Sequence, residues 1–461
     1  MKKFTKILLI GCLLVMVSCN NWLDVDPKSQ VKDKDLFASE MGFKEALSGV
    51  YSLMTKEGLY GKELTFGWLG VLGQEWTSVP YNYEDDQKYD FENAASEVRI
   101  DSVWTGLYNA IANANKLLKE LEGKENLFSG DNYSIIKGEV LALRAYLHFD
   151  LLRIFGASCA VGMERIAIPY VTEYAPTIFP QEKVGDFVGK VLKDLQDAAK
   201  CLENDPILTG RTVSEIDDNG YLMNRQVHLN YYAVKGLMAR VYLYKGDYAN
   251  AEVCAKEVIG SGCFEWVKQE NLTNESVADL TFSTEHLFAL NIVTLGNIVD
   301  KYLDGGNNSF ALEESRLSEY YGSSYDYRYL YLFKTGVGMS NTLRYLKKYD
   351  QLESVSWAQS YRNKLPLICL PEMYYILAEC RYHSSGDVLE PLNEVCRHRG
   401  VADLSEADLS AFETLLLAEY RKEVIGGGQL FFQYKRLNRS VVPGTDVDLA
   451  GEGRYVIPMP K

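Results

Sequence analysis

Basic residues are scarce in this sequence. Its 461 residues carry 48 Lys and Arg against 63 Asp and Glu, a formal net charge of −15. So acidic a surface repels phosphate backbones, which excludes nucleic acid as a partner. Histidine is rarer still: His148, His228, His286, His383 and His398 stand isolated, each reading as a structural or surface residue. There is no H-E-x-x-H, no G-x-S-x-G and no phosphate-cradling glycine loop. The nine cysteines include no C-x-x-C pair, so neither a zinc site nor a disulfide framework is signalled. Beyond Cys12 and Cys19 they are Cys159, Cys201, Cys254, Cys263, Cys369, Cys380 and Cys396, an odd number that leaves at least one thiol free in a monomer. A glycosidase needs only two carboxylates at a set separation, and with 63 acids such a pair can always be nominated, so it carries no weight. No enzyme, cofactor or metal site is expected.

Long apolar runs are also missing, with one exception at the start. Lys2, Lys3 and Lys6 precede an apolar stretch from Ile7 to Val17, too short for the roughly twenty residues of a spanning helix. Small Ser18 and then Cys19 come next, so residues 1–18 read as a lipoprotein signal peptide. Val-Met-Val-Ser-Cys resembles a bacterial lipobox, with Met16 in the usual leucine position. Cys19 is then the lipidation site, and acyl chains at about 0.8 kcal/mol per buried methylene hold it to a membrane. Asn20, rather than Asp, stands after the cysteine and favours the outer membrane. Residues 19–35 read as a lipidated tether. No Pro- or Ser-rich linker divides the remainder, so 36–461 reads as one body, with an N-terminal helical half over 36–270 and a C-terminal half over 271–461.

Apolar residues recur at three and four from Phe37 to Leu53, from Val103 to Leu118, through EVLALRAYLHFDLLRIFG, and over 182–202, where Phe187, Val191, Leu195 and Ala198 share a face. In AVKGLMARVYLYKGDYANAEVCAKEVIGSG, small Ala239 and Ala251 lie on two helices joined at Gly246, the tetratricopeptide helix-turn-helix pattern. A looser copy runs from Met373 to Arg399. EHLFALNIV and LPLICL read as short buried strands. The stretches 57–97, DKYLDGGNNSF and SEYYGSSYDYRYLYLF read as loops. The predicted fold is mainly α: a tetratricopeptide-like scaffold with large loop-rich insertions and a few short strands.

An ordered series of motifs runs through the chain: Cys19-Asn-Asn-Trp-Leu-Asp-Val-Asp-Pro27, Trp104 to Asn115, Glu139-x-x-x-Leu143-Arg144-Ala145-Tyr146, Asp194-Leu195-x-x-Ala198 and Asp326-x-Arg328. Pro371-Glu372 to Glu379, Leu392-Asn393 to Arg399, and Tyr420-Arg421-x-Glu423 complete it. Together they resemble the SusD/RagB family of outer-membrane nutrient-binding lipoproteins. RKEVIGGGQLFFQYKRL departs from that family's pattern at Gly426 to Gly428 and Tyr434 to Arg436. The resemblance implies a non-enzymatic, surface-exposed receptor. It would sit as a lid on a TonB-dependent SusC-like transporter and capture an oligosaccharide, or in some members a peptide.

The family places its ligand contacts in insertions comparable to residues 60–100 and 295–335 here. A sugar ring presents a C–H face and a rim of hydroxyls, which suits Tyr and Trp platforms beside Asn. The chain has 32 Tyr and 6 Trp against 18 Phe. The expected contacts are Trp76, Tyr81, Asn82, Tyr83 and Tyr89 from the first insertion, and Tyr320, Tyr321, Tyr325 and Tyr327 from the second. Packing onto the helices beneath is the competing role for each ring. Glu84, Asp85 and Asp86 read as solvated surface, and Asp326 and Arg328 as a structural pair. A tetratricopeptide-type interaction scaffold or a peptide-binding receptor stands as the alternative.

Overall fold

The structure, a computed structural model, describes residues 34–274, 277–306, 308–336, 342–351 and 361–461. The signal peptide, Cys19 and nearly all of the tether lie outside these residues. Ten principal helices carry the fold: α1 Glu40–Met54, α2 Ala94–Leu121, α3 Asn132–Phe155, α4 Val184–Cys201, α5 Tyr231–Lys245, α6 Tyr248–Ile259, α7 Leu370–His383, α8 Leu389–His398, α9 Phe412–Val424 and α10 Leu430–Arg436. No described helix is long and apolar enough to cross a membrane.

Local chemistry sets the helix ends. The Ser39 hydroxyl accepts from Gly42 N–H, and the Asn93 side chain accepts from the N–H groups of Ala95 and Ser96. Gly246 sits at φ 81° between α5 and α6, a left-handed conformation in which a side chain is strained. Both its flanking helices pack closely, with Ala239 and Ala251 fully buried as the repeat pattern predicts. The second pair, α7 and α8, has the same plan, and α6 packs on α7, so the two pairs join. Central α3 is buried along nearly its whole length, between α2 and α4. Phe187, Val191, Leu195 and Ala198 of α4 face that core with no exposed surface.

Seven short strands complete the described residues: β1 Ile166–Pro169, β2 Gln181–Lys183, β3 His286–Asn291, β4 Leu312–Glu313, β5 Phe333–Thr335, β6 Leu343–Leu346 and β7 Lys364–Cys369. The two predicted buried strands pair antiparallel as β3 and β7, with Ala289 opposite Pro366 and Leu290 opposite Leu365. β4, β6 and β5 form a small sheet in that order, and β1 pairs with β2.

The charged residues of the motif series tie helices together. Arg144 of α3 forks onto Asp194 of α4, both bonds at 2.7 Å. Arg240 of α5 grips Glu372 of α7, and Arg436 of α10 grips Glu379 of α7. Arg399 bridges Glu285 and Glu423, while Arg328 bridges Asp326, Glu419 and Glu423. Asp326 and Arg328 are thus the structural pair expected. The departing residues also serve packing. Lys435 donates to the carbonyls of Arg153 and Ile154, closing the last turn of α3, and the Arg421 guanidinium donates to the Tyr434 hydroxyl. All seven described cysteines are free.

Two stretches read as loop carry helix instead: Glu314–Tyr321 and Tyr327–Tyr331. Leu317, Tyr321 and Arg328 are their buried residues, so their contacts rather than an apolar stripe decide the conformation.

Candidate functional site

The chain between α1 and α2 departs most from its reading as a loop insertion. It lacks helical rhythm because turns recur, yet Leu59, Tyr60, Leu64, Phe66, Trp68, Leu69, Val71 and Leu72 are all buried. Its aromatic polar tips find partners inside. Trp68 Nε1 donates to Asp86 Oδ1 at 2.9 Å, and the Tyr60 hydroxyl donates to Asp150 at 2.7 Å. Such partners spare a buried indole or phenol the cost of an unsatisfied polar group.

Four of the nine expected ligand contacts belong to this interior. Trp76 is 2% exposed, with Nε1 donating to the Phe66 carbonyl at 2.7 Å. Tyr83 is 1% exposed; its hydroxyl donates to Glu63 at 2.8 Å and the Arg99 guanidinium covers its ring at 3.9 Å. Tyr89 is buried, its hydroxyl donating to the Leu72 carbonyl and accepting from Gln74. Tyr321, from the second insertion, is buried and donates to the Lys422 carbonyl at 3.0 Å. None of these four rings has a face open to a solute in this conformation. Asp86 is likewise not solvated. It accepts from Trp68 and Ser96 and pairs with Arg99, and burial pushes its carboxyl up to about 6 against the pull of that guanidinium.

What these rings do is seat the second insertion on the first. Phe310 packs against Trp76 and Tyr83, with ring centres 6.0 and 5.1 Å apart. Ser78 and Ala311 exchange two backbone hydrogen bonds of 3.0 Å, and Glu313 N–H donates to Thr77 Oγ1 at 2.7 Å. Beside this seam stands Tyr81, 87% exposed, with the exposed Asn82, whose backbone carbonyl is anchored by Arg99 at 3.1 Å. On the second insertion Tyr325 is 77% exposed. Tyr327 is half-buried against Gly400 at the end of α8, with its N–H donating to the Arg399 carbonyl. Tyr320 is half-buried, and the Arg421 guanidinium lies over its ring at 4.1 Å. The rings open to a ligand are therefore Tyr81 and Tyr325, with Tyr320 and Tyr327 partly so.

A cavity of about 670 Å³ lies elsewhere, between the end of α1, residues 227–228 and the segment after β3. Its lining comes from three separated stretches with no motif in common, so no signal in the sequence marks it. Among the described residues no group of three or more His, Cys, Asp or Glu gathers to hold a metal ion.

Comparison with known proteins agrees with this architecture. Residues 21–243 match the family model SusD-like, described as starch-binding and associating with the outer membrane. The curated SusD-like protein P38 of Formosa agariphila is 25% identical over 269 residues, covering 57% of this chain and 47% of that protein. SusD-like protein P25 of the same organism is 25% identical over 149 residues, covering 30% of this chain and 28% of its own length. The matches thus span less than half the length of these relatives. Among solved structures, a SusD superfamily protein from Bacteroides thetaiotaomicron has a TM-score of 0.72 at 21% identity, covering 92% of this chain and 96% of that one. A SusD-like carbohydrate binding protein from Bacteroides vulgatus has a TM-score of 0.67 at 16% identity, covering 87% of this chain and 84% of that one. The fold is the mainly α fold of those solved structures, and the sequence over residues 21–243 is similar to the SusD-like family.

Proposed function

We propose that this chain is a surface-exposed, outer-membrane lipoprotein that binds an oligosaccharide or related glycan. In this reading it delivers the ligand, as a lid, to a TonB-dependent SusC-like transporter. The observation that carries it is the family match over residues 21–243, whose description joins starch binding to the outer membrane. The leader to Ser18 and the acylation site at Cys19 supply the anchor, and the polar tether gives a lid room to move. The seam between the insertions adds support, because it presents Tyr81 and Asn82 on a rigid base built by Trp76, Tyr83 and Phe310. A flat ring beside an amide is the pairing a pyranose recognises. The chain is a binding protein in this reading and cleaves nothing.

The test is titration of the purified chain with a panel of oligosaccharides and peptides, with binding heat and Trp fluorescence as readouts. Saturable glycan binding that weakens at least tenfold in Tyr81→Ala or Tyr325→Ala, with unchanged melting, is expected. Binding of peptides alone, or hydrolysis of a polysaccharide, refutes the glycan-receptor reading. Failure to co-purify with a β-barrel transporter in mild detergent refutes the lid.

A further inference from the structure

The cavity beside α1 has a floor assembled around one buried acid. Glu139 of α3 has no exposed surface and takes three partners: the Tyr51 hydroxyl at 2.8 Å, Arg225 at 2.7 Å and His228 Nδ1 at 2.8 Å. Arg225 is held in turn by Asp205 through bonds of 2.9 and 2.8 Å, and the Tyr51 hydroxyl also accepts from Leu229 N–H at 2.8 Å. Burial works to raise the Glu139 carboxyl, but His228 and Arg225 hold it down at about 2, so it stays ionised. The result fixes two rings at the cavity. Tyr51 and His228 meet edge to face, 5.5 Å apart at 81°, and both line it. With Nδ1 turned to Glu139, the opposite ring nitrogen, Nε2, is the one left without a partner among the described residues. A carboxylate held against one ring nitrogen orients an imidazole for an external ligand as readily as for a metal ion.

Around those rings stand groups with no hydrogen bond committed elsewhere. Ser48, Ser52, Thr294 and the side chain of Asn291 line the cavity, are exposed, and have no side-chain partner among the described residues. Val293 and Ile298 supply apolar wall. Hydroxyls and an amide both donate and accept, as the hydroxyls of a sugar do. Charge is nearly absent from the lining: Glu57 is already engaged by Tyr302 and Lys301, leaving Lys56 as the uncommitted cation there among the described residues. A phosphate-bearing ligand needs more positive charge than that. The volume lies within the range of about 300–1,000 Å³ usual for small-molecule sites.

We infer that this cleft is a second saccharide site, separate from the insertion seam, that takes a neutral or singly acidic pyranoside on Tyr51, His228 Nε2, Asn291 and the two α1 serines. The assignment deepens the receptor reading and rests on it for the ligand class. It gives the receptor a second point of hold on an extended glycan.

The experiment applies saturation-transfer difference NMR to the purified chain with the methyl pyranosides of glucose, galactose, mannose and glucuronate, each alone. Ser52→Trp fills the cleft from the exposed surface of α1, Asn291→Ala removes one polar partner, and Tyr81→Ala leaves the cleft intact. At least one glycoside is expected to give transfer signals in a Tyr81→Ala chain that vanish when Ser52→Trp is added. They should weaken about fivefold when Asn291→Ala is added instead, the worth of one neutral hydrogen bond. Silence from all four glycosides, or undiminished binding by a Tyr81→Ala, Ser52→Trp chain that melts normally, overturns the site. The receptor reading is tested apart from this by long oligosaccharides on Tyr81→Ala. Binding lost there but retained in Ser52→Trp leaves the receptor standing without the cleft.

Discussion

Replacing Arg240 with Leu tests whether the motif charges are structural struts. Arg240 Nε and Nη2 donate to the two carboxylate oxygens of Glu372, each at 2.6 Å, and Nη2 also reaches the Leu367 carbonyl at 2.8 Å. The side chains are 4% and 11% exposed, so water cannot take over. The pair spans α5 and α7, the joint between the two tetratricopeptide-like units. In Arg240→Leu, Glu372 is left as a buried carboxylate without its partner, a loss of about 3–5 kcal/mol. An independent count agrees, since two charge-assisted hydrogen bonds at about 1.5–3 kcal/mol each vanish. The double change Arg240→Leu with Glu372→Leu removes the orphaned charge along with its partner and is expected to lie within about 2 kcal/mol of the natural chain. Urea unfolding read by circular dichroism measures all three, and the double-mutant cycle isolates the coupling. A single-mutant loss below about 1 kcal/mol, or a double-mutant loss equal to the sum of the singles, refutes the strut.

Trp76→Ala and Tyr81→Ala should separate core from surface. The first opens a cavity costing about 3–5 kcal/mol, the second changes stability by no more than about 0.5 kcal/mol, and thermal melting reads both. Gly428 has φ 68°, and a β-carbon there would meet the Leu64 carbonyl oxygen at 2.5 Å, so Gly428→Ala is expected to cost more than about 2 kcal/mol by urea unfolding. Burial pushes the Glu75 carboxyl up to about 8, against an ordinary value of 4.5. The folded chain therefore holds a proton that the unfolded chain has released, and stability is lost as pH rises from 4.5 through 8. Glu75→Gln should stabilise at pH 8.5, by at most about 4–5 kcal/mol, and have little effect at pH 4. His148 is buried, accepts from Val171 N–H at Nε2, and is pushed down to about 3 by burial. Its contribution is present above pH 6.5 and lost as pH falls towards 3, so melting temperatures should drop across that interval and drop less in His148→Gln.

The legible part of the fold was the part governed by local repetition. Helices with an apolar face, such as α4 with Phe187, Val191, Leu195 and Ala198, and the pair around Gly246 can be read from spacing alone. The strands β3 and β7 were readable as short apolar runs. The motif charges were readable as a series but not as partners, because Arg144 and Asp194 lie fifty residues apart, and Arg240 and Glu372 much farther. Of the candidate site, Tyr81, Asn82 and Tyr325 are where a solute can reach them. Trp76, Tyr83, Tyr89 and Tyr321 have the same composition and setting in the sequence but are core.

The sequence by itself determined the helical scaffold, the acidic surface and the motif series, since each depends on residue type and spacing within a turn or two of chain. Only the tertiary structure decided which aromatics face water. Each buried tyrosine of the expected site finds an acceptor for its hydroxyl in a distant segment or neighbouring turn: Glu63 for Tyr83, the Leu72 carbonyl for Tyr89 and the Lys422 carbonyl for Tyr321. The same holds for the cleft beside α1. Ser52, His228 and Asn291 come from a helix, a turn and a strand end, and Glu139 on a fourth element orients the rings between them. Such a convergence is set by how elements pack and leaves no periodic trace in the chain.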